Sequence, residues 1–245
     1  MKIKTRHILP MIAIVAFMGC NKVKTPEASI EREQWIGSFS DSIAKYQQRL
    51  AEINVGLNEL NEQLGRELNN FSHVSNPREV TGYYILKGWE GKVPMTSTGI
   101  YARISEDEKL ELIATLSGGT FNRITVSGSE GTISSQTVPH DQALNYRQSG
   151  YNTVCFIGNA SDSVAQFIAQ HKNERLTLNF LGGSQKKAFV IPENEKDMIA
   201  RSCNLLNVQQ EQKQLQKELW ITSRRLDVFQ QKLEKTDSLR SNQNK

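Results

Sequence analysis

Ile36-Gly-Ser-Phe39-Ser-Asp-Ser-Ile43-Ala-Lys-Tyr46-Gln-Gln-Arg-Leu50-Ala-Glu-Ile53-Asn-Val-Gly-Leu57-Asn-Glu-Leu60-Asn-Glu-Gln-Leu64 is the stretch on which the fold turns. Its apolar residues recur at alternating steps of three and four, the a/d seam of a helix that packs lengthwise against another. Phe71 closes the series after one polar position at Glu67. Near the other end of the chain stands a second series of the same spacing: Met198, Leu205, Val208, Leu215, Leu219, Leu226, Phe229 and Leu233. Gln212, Thr222 and Thr236 occupy seam positions in it, so it is the weaker of the two. Two helices of matched length that flank one folded insert pair as an antiparallel hairpin when they belong to the same stalk. At 1.5 Å per residue, each helix would run roughly 65–70 Å.

The ends of these helices carry readable punctuation. Thr25-Pro26-Glu27 offers a hydroxyl cap, Pro in the first turn and an early acid, whereas Asn69-Asn70 and Asn76-Pro77 mark a stop. Asn194 after Pro192 can cap the second helix, with Asp197 in its first turn. The expected division is a stalk helix over 28–75, a head over 76–192, a second stalk helix over 193–239 and a disordered tail over 240–245. Ser40, Gln47, Asn54 and Asn61 flank the first seam with little charge, which leaves homo-oligomers through the helices open. Trp220, Ile221 and Val228 add apolar area outside the second seam and are the candidate contacts for a partner.

Between the helices the 3.6-residue period gives way to alternation. Ile100, Ala102 and Ile104 alternate, as do Leu110, Leu112, Ala114 and Leu116. Ser117-Gly118-Gly119, Ser127-Gly128-Ser129 and Gly150 supply turns. Leu176–Phe180, then Gly182-Gly183-Ser184, then Ala188–Ile191 reads as a hairpin. A short helix capped by Ser161 or Asp162 should bury Val164, Phe167 and Ile168 between the strand Asn152–Ile157 and that hairpin. The fold class expected is α+β: a coiled-coil stalk carrying a mainly antiparallel β head with one short helix.

The first residues give an address. Lys2, Lys4 and Arg6 precede an apolar run from Ile8 to Met18, about 11 residues long and too short for the roughly 20 that span a bilayer. Gly19-Cys20 follows it. The segment resembles the signal of bacterial lipoproteins, although Phe17 stands where that family usually has Leu. The resemblance implies a signal over 1–19, acylation of Cys20 as the mature N-terminus, and a tether over 20–27. Residue 21 is Asn and not the Asp that resembles an inner-membrane retention signal, which favours the outer membrane, and Asn21-Lys22-Val23-Lys24 favours its periplasmic face. Several acyl chains hold a protein on a membrane durably, at about 0.8 kcal/mol per buried CH₂.

Of 30 basic residues three belong to that leader, so the mature chain is nearly neutral against 26 acidic ones, which argues against nucleic acid as a partner. Aromatic residues make up only 7%, so the core is expected to be aliphatic. Cys155 and Cys203, the two cysteines besides Cys20 in an exported chain, invite a disulfide tying stalk to head.

Motif chemistry is sparse. His73, His140 and His171 stand apart and outside any ligand pattern, so no metal site is expected, and no cofactor or catalytic residue. His171 reads as a packing residue on the short helix, and Glu106-Asp107-Glu108 as a solvated hairpin tip. Trp89, between Gly88 and Glu90-Gly91, is a candidate exposed anchor for a partner. The expected function is non-catalytic binding or scaffolding in the cell envelope. The alternatives are an oligomeric periplasmic chaperone or adaptor, and an envelope hydrolase in which His140-Asp141 activates a serine.

Overall fold

The computed structural model describes residues 26–75, 81–141, 143–182 and 186–243. The leader 1–19, Cys20, Asn76-Pro77 and the turn residues Gly183-Ser184 lie outside them. The chain forms two compact units: one from the residues up to Lys45 together with those from Leu226 onward, the other from Tyr46–Arg225. Among the described residues no helix is long and apolar enough to cross a membrane.

The fold is α+β, with two antiparallel sheets and a long N-terminal helix packing on a long C-terminal one. Helix α1 runs Pro26–Leu68 and helix α3 runs Glu193–Gln243. In the larger unit Ile53, Leu57 and Leu60 of α1 are buried, as are Leu205 and Val208 of α3, all at expected seam positions. Polar contacts fix the direction of pairing there. Asn204 Nδ2 donates to Glu67 Oε1 at 2.8 Å, Gln212 Nε2 to Asn61 Oδ1 at 2.5 Å, and Arg49 Nε to Glu218 Oε1 at 2.8 Å. One sequence rises as the other falls, so the helices are antiparallel over this stretch. Gln212, a polar residue at a seam position, is thus satisfied by Asn61 rather than left unpaired. In the smaller unit Phe39 meets Phe229 edge-on at 6.0 Å and Trp35 packs on Phe39 at 6.1 Å.

Helix boundaries depart from expectation at the C-terminal end of each long helix. Helix α1 stops at Leu68, not residue 75, because Asn69-Asn70 turn the chain and Phe71–Val74 forms strand β1. Phe71 is buried in the sheet core rather than closing the heptad. Helix α3 continues through Gln243, so residues 240–243 are helical and not a disordered tail. It opens at Glu193 directly after Pro192, whose carbonyl accepts from the Glu195 and Lys196 amides, so Asn194 lies inside the helix instead of capping it.

The remaining strands are β2 Tyr83–Leu86, β3 Gly99–Ser105, β4 Leu110–Ser117, β5 Arg123–Gly128, β6 Gly131–Ser134, β7 Asn145–Gln148, β8 Tyr151–Ile157, β9 Thr177–Leu181 and β10 Lys187–Val190, with helix α2 at Asn159–Gln170. One sheet has the order β1-β2-β3-β4-β8-β7 and the other β10-β9-β5-β6. Alternation places Ile100, Ala102, Leu112, Ala114, Val154 and Phe156 on one face of the six-stranded sheet. They join Ile124, Val126, Leu178 and Phe180 of the second sheet, Val164, Ala165 and Ile168 of α2, and Ile199, Cys203 and Leu205 of α3 in the main core. The opposite face carries a smaller cluster of Tyr83, Ile85, Trp89, Tyr101, Ile113, Cys155 and Met198.

Helix α2 begins earlier than expected, after Gly158 at φ +103, and no side chain caps it. Ser161 instead lies buried in the first turn and donates to the Gly158 carbonyl at 2.6 Å.

Candidate functional site

The residues expected to meet a partner fall into different environments. Trp220 is 64% exposed on α3, with the Arg224 guanidinium 5.9 Å from its ring centre, i to i+4 on the same helix. Ile221 is half-buried beside it. Val228, in the smaller unit, is exposed, and so is Trp35 of that unit. Trp89 is a correction. Its ring is buried in the smaller cluster, with Lys92 Nζ 5.1 Å from the ring centre, because the turn after β2 folds it back onto the sheet. An indole in that position adds core area and presents no face to a partner.

The cysteines are a second correction. Both are buried thiols. Cys155 pairs across strands with Ile113 in the smaller cluster, whereas Cys203 sits in the main core on the other side of the sheet. A sheet between them prevents the approach a disulfide needs. Burial pushes the Cys203 thiol up to about 12, which leaves it inert as a nucleophile at neutral pH.

His140 lines a pocket of about 390 Å³ at one end of the larger unit, together with Thr120, Phe121, Asn122, Asn145, Arg147, Asn152 and Gly182. Strand geometry builds one wall of it. Asn145 and Arg147 are two apart on β7, and Arg147 faces Asn152 across the β7–β8 pair, so all three project on the same side. Ser149 at φ +51 and Gly150 at φ +86 supply the two left-handed residues that the tight connection of these strands requires. Asn145 and Asn152 are buried and saturated. Asn152 Nδ2 donates to Asn145 Oδ1 at 2.9 Å, and its Oδ1 accepts from the Phe121 amide at 2.8 Å. Asn145 Nδ2 donates to the Val138 carbonyl at 2.8 Å, so this amide pair pins both loops that frame the opening. At Gly182 the backbone stands at φ +87, which L side chains rarely adopt, and a Cβ there would also displace the Asn122 side-chain amide.

Among the described residues that line this pocket none is a serine, the nucleophile that the hydrolase alternative pairs with His140. Asp141 spends its Oδ1 on the amides of Ala143, Leu144 and Asn145, which hold its carboxyl below the usual range. It shapes a turn rather than orienting His140.

Elsewhere in the larger unit the acidic tip between β3 and β4 is paired residue by residue: Glu106 with His73 at 2.7 Å, Asp107 with Lys109, and Glu108 with Lys213 at 2.5 Å. His171 caps the end of α2 and lies between two carboxylates, Nδ1 at 2.9 Å from Glu174 and Nε2 at 3.8 Å from Glu130. These three residues bring ligand-type atoms within 4.8 Å, a cluster that the sequence spacing did not reveal. Because each carboxylate addresses a different ring nitrogen, the geometry is that of a bridged imidazole rather than a chelate.

The readable sign of the pocket was asparagine in strands. Asn is depleted there, and two of them, one on each strand that the Ser149-Gly150 turn connects, mark a polar site inside a sheet. Compared with family models, with characterised proteins and with solved structures, the chain matches none.

Proposed function

We propose that this chain is a lipid-anchored protein of the cell envelope that acts by binding and not by catalysis. On this reading Cys20 carries the lipid, at the periplasmic face of the outer membrane. The paired helices form a coiled-coil stalk, the β unit is the head it holds away from the bilayer, and a protein of the envelope docks on the helices. The observation that supports it best is Trp220, 64% exposed on a helix whose seam side closes against α1. A large aromatic beside Arg224 is the pair of residue types that most often anchors a protein interface.

A photo-crosslinking amino acid in place of Trp220, in the membrane-bound protein in cells, tests this directly. The expected result is one discrete adduct, with none from the same group at the exposed Gln214 of the same helix. Equal, diffuse labelling from both positions would end the docking claim. The alternative of an oligomeric chaperone draws on Trp35 and Val228, both exposed in the smaller unit. Sedimentation of the acyl-free protein separates the two: the binding reading allows a monomer, and the chaperone reading does not.

A further inference from the structure

We propose that the pocket lined by Thr120, Asn122, His140 and Arg147 is a binding site for a small polar anion, a molecule carrying one carboxylate or phosphate alongside hydroxyl groups. This is independent of the lipid anchor and of docking on the helices. The volume of about 390 Å³ is that of a small-molecule site, not of a groove for a chain. Among the described residues its lining contains a guanidinium and an imidazole and no carboxylate, and the Asp141 carboxylate beside His140 is taken up by the amides of Leu144, Asn145 and Ala143, so the field at Arg147 favours negative charge.

The polar groups divide into two sets with different duties. Asn145 and Asn152 are buried, and their amides are committed to Val138, Phe121, Tyr146 and each other. They form a fixed wall. Among the described residues, the side chains of Thr120, Asn122 and Arg147 have no hydrogen-bond or ion-pair partner, His140 interacts electrostatically with the neighbouring Asp141 carboxylate, and all four line the same opening. An arginine fork matches a carboxylate or phosphate in two parallel hydrogen bonds, which fixes the anionic end at Arg147. Thr120 and Asn122 each offer a donor and an acceptor, the pattern that hydroxyl groups answer. Phe121, buried at the base, gives the ligand an apolar floor. Preorganisation by the saturated amide pair lowers the ordering cost that binding otherwise incurs.

Calorimetric titration of the full chain in detergent with glucuronate, inorganic phosphate and neutral glucose tests the proposal. Glucuronate or phosphate should bind, glucose should bind at least about tenfold more weakly, and the anion's affinity should fall as salt is raised. Whichever anion binds better identifies the ligand as a sugar acid or a phosphate ester. Arg147→Gln on the exposed edge strand should weaken anion binding about 10–100-fold with the melting temperature unchanged, while Arg66→Gln on α1 leaves it intact. His140→Gln should weaken it by a smaller factor and serves if the Arg147 variant does not fold. Silence with both anions at about 10 mM, equal binding of glucose and glucuronate, or unaltered affinity in a folded Arg147→Gln protein would each overturn it.

Discussion

Glu195 is a carboxyl that folding places almost out of water, in the first turn of α3, where its Oε2 accepts the Ile100 amide at 3.0 Å. A Cβ at Gly99 would stand 2.7 Å from its Oε1, so the approach depends on that glycine. Burial pushes its carboxyl up to about 7, and the single amide bond only partly offsets this. The folded state therefore holds the proton more tightly than the unfolded chain. Its contribution to stability is complete below the ordinary Glu range, near 4.5, and is lost as pH rises to about 7. The loss is about 3 kcal/mol at most. Glu195→Gln keeps the acceptor and removes the charge, so chemical denaturation should show a flatter pH dependence across that window and a more stable protein at pH 8. An unaltered slope would refute the assignment. Cys155 and Cys203 give a second residue-scale test, read by mass after alkylation without reductant. In a Cys20→Ser protein, denaturation should expose two labelled thiols, and a doubly unlabelled chain would prove a bridge. Sequence spacing could show two cysteines besides Cys20 but not that a sheet separates them. Trp89 was equally opaque, since flanking glycines mark a loop without saying which way its indole turns.

The heptads were the most legible element, because a seam repeated over many turns averages out single polar residues such as Gln212. Burial of Ile53, Leu57, Leu60, Leu205 and Val208 makes the part of the pair within the larger unit integral to its fold. Ile53→Ala, at 1% exposure, should cost about 2–4 kcal/mol, whereas Val55→Ala, at 58%, should change stability by less than about 0.5 kcal/mol in the same denaturation assay. Comparable losses from both would mean that the seam does not pack as described. Strands β3, β4, β8, β9 and β10 were readable from alternation or from turn signals around them. Strands β1, β2, β6 and β7 were not, for each is four residues long, and β6 and β7 are largely exposed and polar. Their pairing is decided by tertiary neighbours and by the Ser149-Gly150 turn, which fixes register only once both strands exist. The pocket was hidden for the same reason: Thr120, His140 and Arg147 come from three separate segments.

At the scale of the whole molecule, antiparallel sheets, a short helix and paired terminal helices agree with the class expected from sequence, while the division into sheets β1-β2-β3-β4-β8-β7 and β10-β9-β5-β6 could not be read from it. Non-consecutive neighbours such as β4 and β8, or β5 and β9, rest on long-range contacts that no local pattern encodes. The proposed function adds to this architecture a lipid at Cys20 that would hold a binding protein at a membrane. Membrane fractionation with intact-mass measurement of wild type and Cys20→Ala tests that claim most directly. The account predicts a wild-type chain beginning at Cys20 with added acyl mass in the membrane fraction, and a variant that is soluble or retains residues 1–19. Wild type and variant of equal processing, both equally bound to the membrane, would contradict it.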